Sequence, residues 1–427
     1  MAGRFQKAPM KILHLNAFYG EGGAARATNR LHRNLLSRDK ESWMVVRRKE
    51  EDNKNVIQCE SDGKLVKLVS TLRPYLDAFP LVFFRKKRNL PWSISWLANQ
   101  FIRVQSKISP DIVHVHWVGA GFLSLRNLSK IESRMVWTLH DAWPFTGGCH
   151  IINNCTAFKQ SCGKCPQLGS GNHYDLSWLG WHRKKNLYNN NKITFVAPSH
   201  WIAEQARSSS LLSRFRIEVI PNGLDTNTFQ PVDKQLSRKL LGLPQDKKII
   251  LFGAMSATSD SNKGFDKLQK SLLHLKKLGF GDNVELVIFG SSEPANKPDM
   301  GFHTTYLGRF HDDVSLAIVY SAADLMCVPS IQESFGQTAT EAMSCGTPVV
   351  SYATSGLLDI VDHKVTGYLA QPYDEMDFAK GIEFLISDSS CLQTMSKDAR
   401  NKVLKCFDIS IVASKYIELY EQVLRNE

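Results

Sequence analysis

No apolar run in this 427-residue chain approaches the ~20 residues that span a bilayer, so a transmembrane helix is not expected. A cleavable leader is equally poorly supported. Met1 to Met10 is polar and basic, and the apolar stretch behind it, Ile12 to Phe18, is short and broken by His14 and Asn16. The expected location is the cytoplasm. Zinc-finger Cys/His spacing, an aromatic RNP-like strand and heptads are all missing, which excludes the common nucleic-acid modules. A GxGxxG fingerprint is missing after the first strand, so a dinucleotide cofactor has no support. Internal repeats and low-complexity segments are not evident. Nine cysteines are present, an odd number in a chain without a secretory signal, and a reducing compartment argues against disulfides. Five of them, Cys59, Cys327, Cys345, Cys391 and Cys406, read as isolated small apolar residues.

What the chain does have is length, apolar content and positive charge. Its size suggests two domains, and 43% hydrophobic residues is a globular composition. The formal net charge of +12 favours phosphorylated substrates or anionic membrane surfaces. Lys11 to Ala17 reads as a strand and Arg26 to Leu36 as an amphipathic helix, joined by the small-residue turn Glu21-Gly22-Gly23-Ala24-Ala25. Trp43 to Val46, Ile112 to Val115, Met135 to Leu139 and Thr194 to Ala197 read as further parallel strands. A second alternation follows Pro221, with strands at Ile249 to Phe252, Glu285 to Phe289, Leu325 to Val328 and Val349 to Tyr352. Phe265 to Lys277 and Val314 to Ala322 read as helices between them. The expected fold is therefore α/β, with two Rossmann-like doubly wound domains facing each other across a cleft that is the default ligand site. The expected domains are 1–216 and 217–409, with 410–427 a terminal helix.

The richest segment runs from Pro329 to Tyr352. Glu333 stands in a loop of small residues, and Glu341 follows eight positions later on a short helix, Thr338 to Cys345, which Gly346 and Pro348 end. A loop leading into a helix N-terminus offers backbone N–H groups and a positive dipole end, and suits a phosphate or polar ligand. Two carboxylates beside it could grip sugar hydroxyls. Elsewhere, Gly22 and Gly23 would let the backbone come close to a ligand. His140, in Thr138-Leu-His-Asp141, ends a strand where it could donate to a sugar hydroxyl. His114 and His116 flank a similar strand end and read as structural. Lys263, before Gly264, could neutralise a diphosphate.

Glu333 to Tyr352 resembles the Glu-x7-Glu signature of the retaining glycosyltransferases of family 4, which have the GT-B fold. The match includes Ser334-Phe335-Gly336, Glu341-Ala342 and Gly346-Thr-Pro-Val-Val350. The similarity extends over about Lys11 to Tyr373 and includes Val196 to Trp201, Ile220 to Asp225 with Phe229, and Gly367-Tyr-Leu after Asp359. It implies that Glu333 contacts a donor sugar, that Glu341 binds a nucleotide ribose, and that His140 lies near the donor. The Gly22-Gly23 loop would approach the diphosphate, with Ser334, Phe335 and Gly336 also in the donor site, Arg309 in Leu307-Gly-Arg-Phe310 lining the base pocket or adding charge, and the final helix packing back on the first domain. Family members usually carry an Arg soon after the strand 249–252. Gly253-Ala254-Met255 stands there instead, and Lys263 is retained. No catalytic metal or cofactor is implied. The expected partners are a nucleotide-sugar donor and a glycan or lipid-linked acceptor, with no nucleic acid.

Two segments add to this. Cys149, Cys155, Cys162 and Cys165 form C-x5-C-x6-C-x2-C, a set of thiols for a structural zinc or four reduced thiols. Their Thr-Gly-Gly-Cys…Cys-Gly-x-Cys-Pro-Gln-Leu setting resembles an exopolysaccharide and colanic-acid-type subgroup of family 4. Pro74 to Gln105 mixes Phe79, Phe83, Phe84, Trp92 and Trp96 with Arg85-Lys-Lys-Arg88, a composition suited to an anionic membrane interface and so to peripheral attachment at the inner face of the membrane.

Overall fold

The computed structural model describes residues 10–49, 52–59, 64–84, 91–97, 99, 101–189 and 192–425, with backbone alone for 64–69. The basic run Arg85 to Arg88 lies outside them. The chain divides into two compact units, Met1–Ile220 with Val412–Glu427, and Pro221–Ile411.

The first unit is built on seven parallel strands: β1 (Lys11–Leu15), β2 (Glu41–Val46), β3 (Val56–Gln58), β4 (Ile112–Val115), β5 (Arg134–Thr138), β6 (Ile193–Ala197) and β7 (Ile217–Val219). Their order is β3-β2-β1-β4-β5-β6-β7. All four residues of β4 are buried, as expected for a central strand covered on both faces. Hydrogen bonding of β7 to β6 ties the end of this unit, up to Ile220, into its sheet. The second unit holds six parallel strands: β8 (Lys248–Gly253), β9 (Val284–Phe289), β10 (His303–Gly308), β11 (Leu325–Val328), β12 (Val349–Tyr352) and β13 (Gly367–Ala370). Their order is β10-β9-β8-β11-β12-β13. The strand order reverses between β1 and β4 and again between β8 and β11. In such sheets the crevice beyond the carboxyl ends at the reversal is where ligands bind.

Polar anchors fix both sheets. In the second unit, buried Asp324 accepts from Arg238 Nη2 at 2.8 Å, Lys234 Nζ at 2.9 Å and the Ile249 N–H at 2.7 Å. In the first, the helix Ile409–Arg425 brings the Tyr420 hydroxyl to 2.7 Å from His114 Nδ1 and the Tyr416 hydroxyl to 3.0 Å from Thr138 Oγ1. Thr138 also bonds His114 Nε2 at 2.8 Å.

The same unit buries histidines beneath these contacts. His32, on the helix Gly23–Leu36, bonds Ser42 Oγ through Nδ1 at 2.7 Å. Burial, with Arg33 adding to it, pushes its pKa from 6.5 down to about 4. The unfolded chain then binds more protons than the native one. The stability this neutral ring represents is complete above about pH 6.5 and is lost as pH falls toward 4. By pH 5 the loss from His32 alone is on the order of 2 kcal/mol. Urea melts at pH 7.5 and pH 5 are expected to show a marked drop in midpoint, and His32→Gln to narrow it. Equal midpoints at the two pH values would show that the histidine is not held neutral.

Candidate functional site

Beyond the ends of β4 and β5, the first unit has a small cleft whose walls include His116, Trp117, His140, Asp141 and His150. Asp141 organises it. Its Oδ2 accepts from Trp117 Nε1 at 2.7 Å and from His150 Nδ1 at 2.6 Å, and its Oδ1 accepts from the Trp143 N–H at 2.8 Å. Burial pushes this carboxyl up, but His150 and these donors outweigh it and hold it below the usual range. His150 Nε2 bonds Ser93 Oγ at 2.8 Å. His140 stands next to Asp141, and its Nε2 is 3.0 Å from His116 Nδ1. Burial drops the His140 pKa to about 4, against the opposing pull of Asp141. The ring is therefore neutral at physiological pH, able to donate or accept a hydrogen bond.

Gly22 stands at the start of the helix Gly23–Leu36, with φ 89° and ψ 161°, a conformation essentially restricted to glycine. No side chain caps that helix, so its first amides remain available to an anion.

In the second unit, Lys263 and Glu333 meet. Lys263 Nζ lies 2.7 Å from Glu333 Oε1, with the two side chains 23% and 18% exposed. The loops that carry them, after β8 and β11, are tied together. Asn262 Nδ2 donates to the Gln332 carbonyl at 2.8 Å, and the Ile331 N–H donates to the Asn262 carbonyl at 2.9 Å. Gly264 has φ 70°, and a Cβ there would lie 2.1 Å from the Pro329 oxygen, so only glycine allows this approach. Ser355 Oγ accepts from the Glu333 N–H at 2.9 Å. Burial opposes the Lys263 charge, but Glu333 and Asp260 more than offset it and raise its pKa above the ordinary value.

The expected residues around this pair are placed as follows. Phe335 is buried and packs edge-on against Phe407. Gly336, at φ 114°, opens the helix Gln337–Ser344, which no side chain caps. Ser334 lies between Glu333 and Phe335, where its carbonyl would be 2.7 Å from a Cβ on Gly356. Glu341 is on the inner face of that helix, 2% exposed, and its Oε2 accepts from the Tyr320 hydroxyl at 2.9 Å. Arg309 is exposed just past β10. The segment that takes the place of the family's Arg leaves no room for a side chain at Gly253, where a Cβ would lie 2.3 Å from the Phe289 ring, and exposes Met255. From Ala254 to Gly264, Lys263 is the one cation.

Cys149, Cys155, Cys162 and Cys165 are free thiols. Burial raises Cys149, Cys162 (to about 12) and Cys165, and mutual repulsion among the neighbouring thiols adds to it. The backbone N–H groups of Gln167 and Leu168 face the Cys165 sulfur and favour its thiolate. The turn Cys162-Gly163-Lys164 is left-handed throughout, with φ 54°, 104° and 48°. Among the described residues, the trio whose ligand atoms all lie within 4.8 Å of one another is instead His14, His114 and His116. Lys184, unmarked in the sequence reading, lies buried beside this loop. Its Nζ donates to the Trp143 carbonyl and, at 2.9 Å, to that of Thr146, 3.8 Å above the Trp143 ring. Burial lowers its pKa to about 7, with Cys149 and Cys162 opposing.

Sequence reasoning singled out His140, but passed over Asp141 and His150 and read His114 and His116 as structural. The available signal was histidines at the ends of adjacent parallel strands, which parallel pairing brings side by side. Glu341 was expected to reach a ligand; its partner Tyr320 had no mark of its own in the sequence.

Two family models together account for most of the chain. Residues 21–228 match Glycosyltransferase Family 4, and residues 233–402 match Glycosyl transferases group 1. A D-inositol 3-phosphate glycosyltransferase of Xylanimonas cellulosilytica is 32% identical over 227 residues, 49% of this chain and 52% of that protein. An uncharacterized glycosyltransferase of Methanocaldococcus jannaschii is 28% identical over 332 residues, 73% of this chain and 82% of that one. The chain spans about half the length of the first curated relatives it matches. Among solved structures, sucrose-phosphate synthase of Thermosynechococcus elongatus matches 98% of this chain and all of its own, with TM-score 0.69 and 20% identity. Anabaena HepE in complex with UDP-glucose matches 97% of this chain and all of its own, with TM-score 0.63 and 20% identity. The chain thus consists of a glycosyltransferase family 4 domain followed by a glycosyl transferases group 1 domain, in the two-domain α/β fold of the GT-B glycosyltransferases.

Proposed function

We propose that this protein is a retaining glycosyltransferase that moves a hexosyl unit from a nucleotide sugar to a glycan acceptor, without a catalytic metal. The Lys263–Glu333 pair at 2.7 Å, beside the helix that starts at Gly336, carries this reading. The departing diphosphate gains negative charge as the anomeric C–O bond breaks. An ammonium fixed in place and the amides of a helix N-terminus stabilise that charge without reorganising. Glu333 orients the donor sugar. The acceptor oxygen forms the new bond on the face the diphosphate leaves, and a phosphate oxygen takes its proton. Catalysis then rests on positioning and electrostatics. Glu341 serves the nucleotide ribose, held through Tyr320.

The acceptor we favour is lipid-linked, as in bacterial surface polysaccharide assembly. The support is an exposed apolar face on the helix Lys64–Ala78 and the turn after it, Leu72, Tyr75, Leu76, Phe79, Val82 and Phe83, followed in sequence by Arg85 to Arg88. A soluble phosphorylated acceptor is the second reading, favoured by relatives whose names specify D-inositol 3-phosphate. The cysteine loop is proposed to hold one structural zinc through Cys149, Cys155, Cys162 and Cys165. The Cys165-facing amides and the left-handed turn fit such a loop, and coordination would draw the four sulfurs closer.

Glu333→Gln is expected to lower turnover at least ~100-fold with modest change in nucleotide affinity, because its contact bears on transition-state geometry. Glu341→Gln keeps an acceptor for Tyr320 and is expected mainly to weaken nucleotide binding. Steady-state kinetics across UDP-, GDP- and ADP-sugars measure both, and equal effects of the two substitutions on turnover with unchanged nucleotide affinity would refute the assignment.

Co-sedimentation with anionic liposomes is expected at low salt and to weaken as salt rises. Replacing Arg85 to Arg88 by glutamines should reduce it several-fold while leaving donor hydrolysis intact. A wild-type protein that ignores such liposomes favours the soluble acceptor. Elemental analysis of protein purified without chelator is expected to find about one zinc per chain; a metal-free, stable and active preparation removes the zinc.

A further inference from the structure

Three histidines of the first unit line up from its core to its cleft. His14 Nδ1 lies 3.1 Å from His116 Nε2, and His116 Nδ1 lies 3.0 Å from His140 Nε2. His14 and His116 are buried, and the His140 ring forms part of the cleft wall. We infer that His14 and His116 are positioning residues, a chain of neutral imidazoles that fixes the tautomer of His140 and leaves its Nδ1–H as the donor offered to a ligand in the cleft. The identity of that ligand as a nucleotide sugar rests on the function proposed above; the tautomer does not.

A neutral imidazole has one N–H and one bare nitrogen, so each link in such a chain fixes the direction of the next. Only two arrangements satisfy both links. Running outward, His14 Nδ1–H donates to His116, His116 Nδ1–H donates to His140, and His140 Nδ1–H is left for the cleft. Running inward, the donors are His140 Nε2–H and His116 Nε2–H, and His14 carries its proton on Nε2. That atom is buried without a hydrogen-bond partner. A buried N–H without an acceptor is among the rarest defects in native proteins, and the outward arrangement avoids it by leaving a bare lone pair there.

Burial holds all three rings neutral, which the chain requires, since a protonated ring has no acceptor to pass on. The nearby His114 does not interrupt it, because both its nitrogens are taken by Tyr420 and Thr138. One ring nitrogen from each of His14, His114 and His116 lies within 4.8 Å of the other two, but of the three rings' nitrogens every one except His14 Nε2 already has a partner. A metal there would have to displace those bonds, so the arrangement is one of linked imidazoles.

Long-range proton–nitrogen correlation spectra of the full-length protein, labelled with 15N-histidine and without added nucleotide, read the tautomer directly. The His140 signals are identified by their loss in His140→Gln. At pH 7 the expected result is a single Nδ1–H tautomer for His140. His116→Phe breaks the chain and should give His140 a mixture of tautomers. His116→Asn, whose amide can still donate from the Nδ1 position, should restore it. If His116→Phe does not fold, His14→Phe tests the same chain one link further in. In turnover, His116→Phe should lower kcat roughly tenfold with little change in KM, and His116→Asn should recover most of it. An Nε2–H tautomer or an even mixture in the wild type, a tautomer unmoved when the chain is broken, or metal-type shifts on His14 or His116 would overturn the inference. Absence of any sugar transfer with the Nδ1–H tautomer intact would instead remove the functional reading and leave the chain standing.

Discussion

A lysine and a glutamate separated by 70 positions in sequence meet at 2.7 Å in the second unit, and much of that unit's architecture serves to bring them there. The loops after β8 and β11 are joined by backbone and Asn262 bonds and pressed together at Gly264, where no side chain fits. Partial burial raises the cost of leaving either charge alone, so each holds the other in place. A cation held this way needs no rearrangement when an anionic leaving group forms beside it. That is the difference between a preorganised site and a lysine on a free loop. Between Ala254 and Gly264 there is no second cation, so on the proposed function Lys263 would carry a larger share of that task than one member of an arginine–lysine couple.

The first unit uses the opposite electrostatic strategy. Its cleft wall includes His116 and His140, rings kept uncharged by burial, and one carboxylate, Asp141, stabilised by three donors. Neutral donors can read the hydroxyl pattern of a sugar without attracting stray anions. The cost is sensitivity to acid, because each buried ring resists protonation only while the fold holds.

The central strands were legible because parallel strands buried on both faces are continuous apolar runs; β4, β11 and β12 fall where the pattern places them. The sheet edges were not. β3 and β7 are three residues long, and β10 begins His303-Thr-Thr with half-exposed residues, so their apolar signal is weak. His140 in the first unit and Glu333 and Lys263 in the second were marked by motif and strand-end position, and Gly336 by the helix it opens. The burial of Glu341 against Tyr320, the shielding of Asp141 by His150 and Trp117, and the buried Lys184 depend on contacts between distant segments that no local pattern records. His116 was read as structural because a lone histidine beside a strand usually is; what distinguishes it is His14 on the neighbouring strand and His140 on the other side.

Calorimetric titration of the wild-type protein and of Lys263→Met with a nucleoside diphosphate and with the corresponding nucleotide sugar tests the Lys263–Glu333 account most directly. The account predicts that the wild type binds both, the sugar nucleotide more tightly, and that Lys263→Met weakens both by at least ~10-fold, because the substitution removes the charge that faces the diphosphate and leaves Glu333 unpaired beside it. Unchanged affinity for both ligands in Lys263→Met would contradict it.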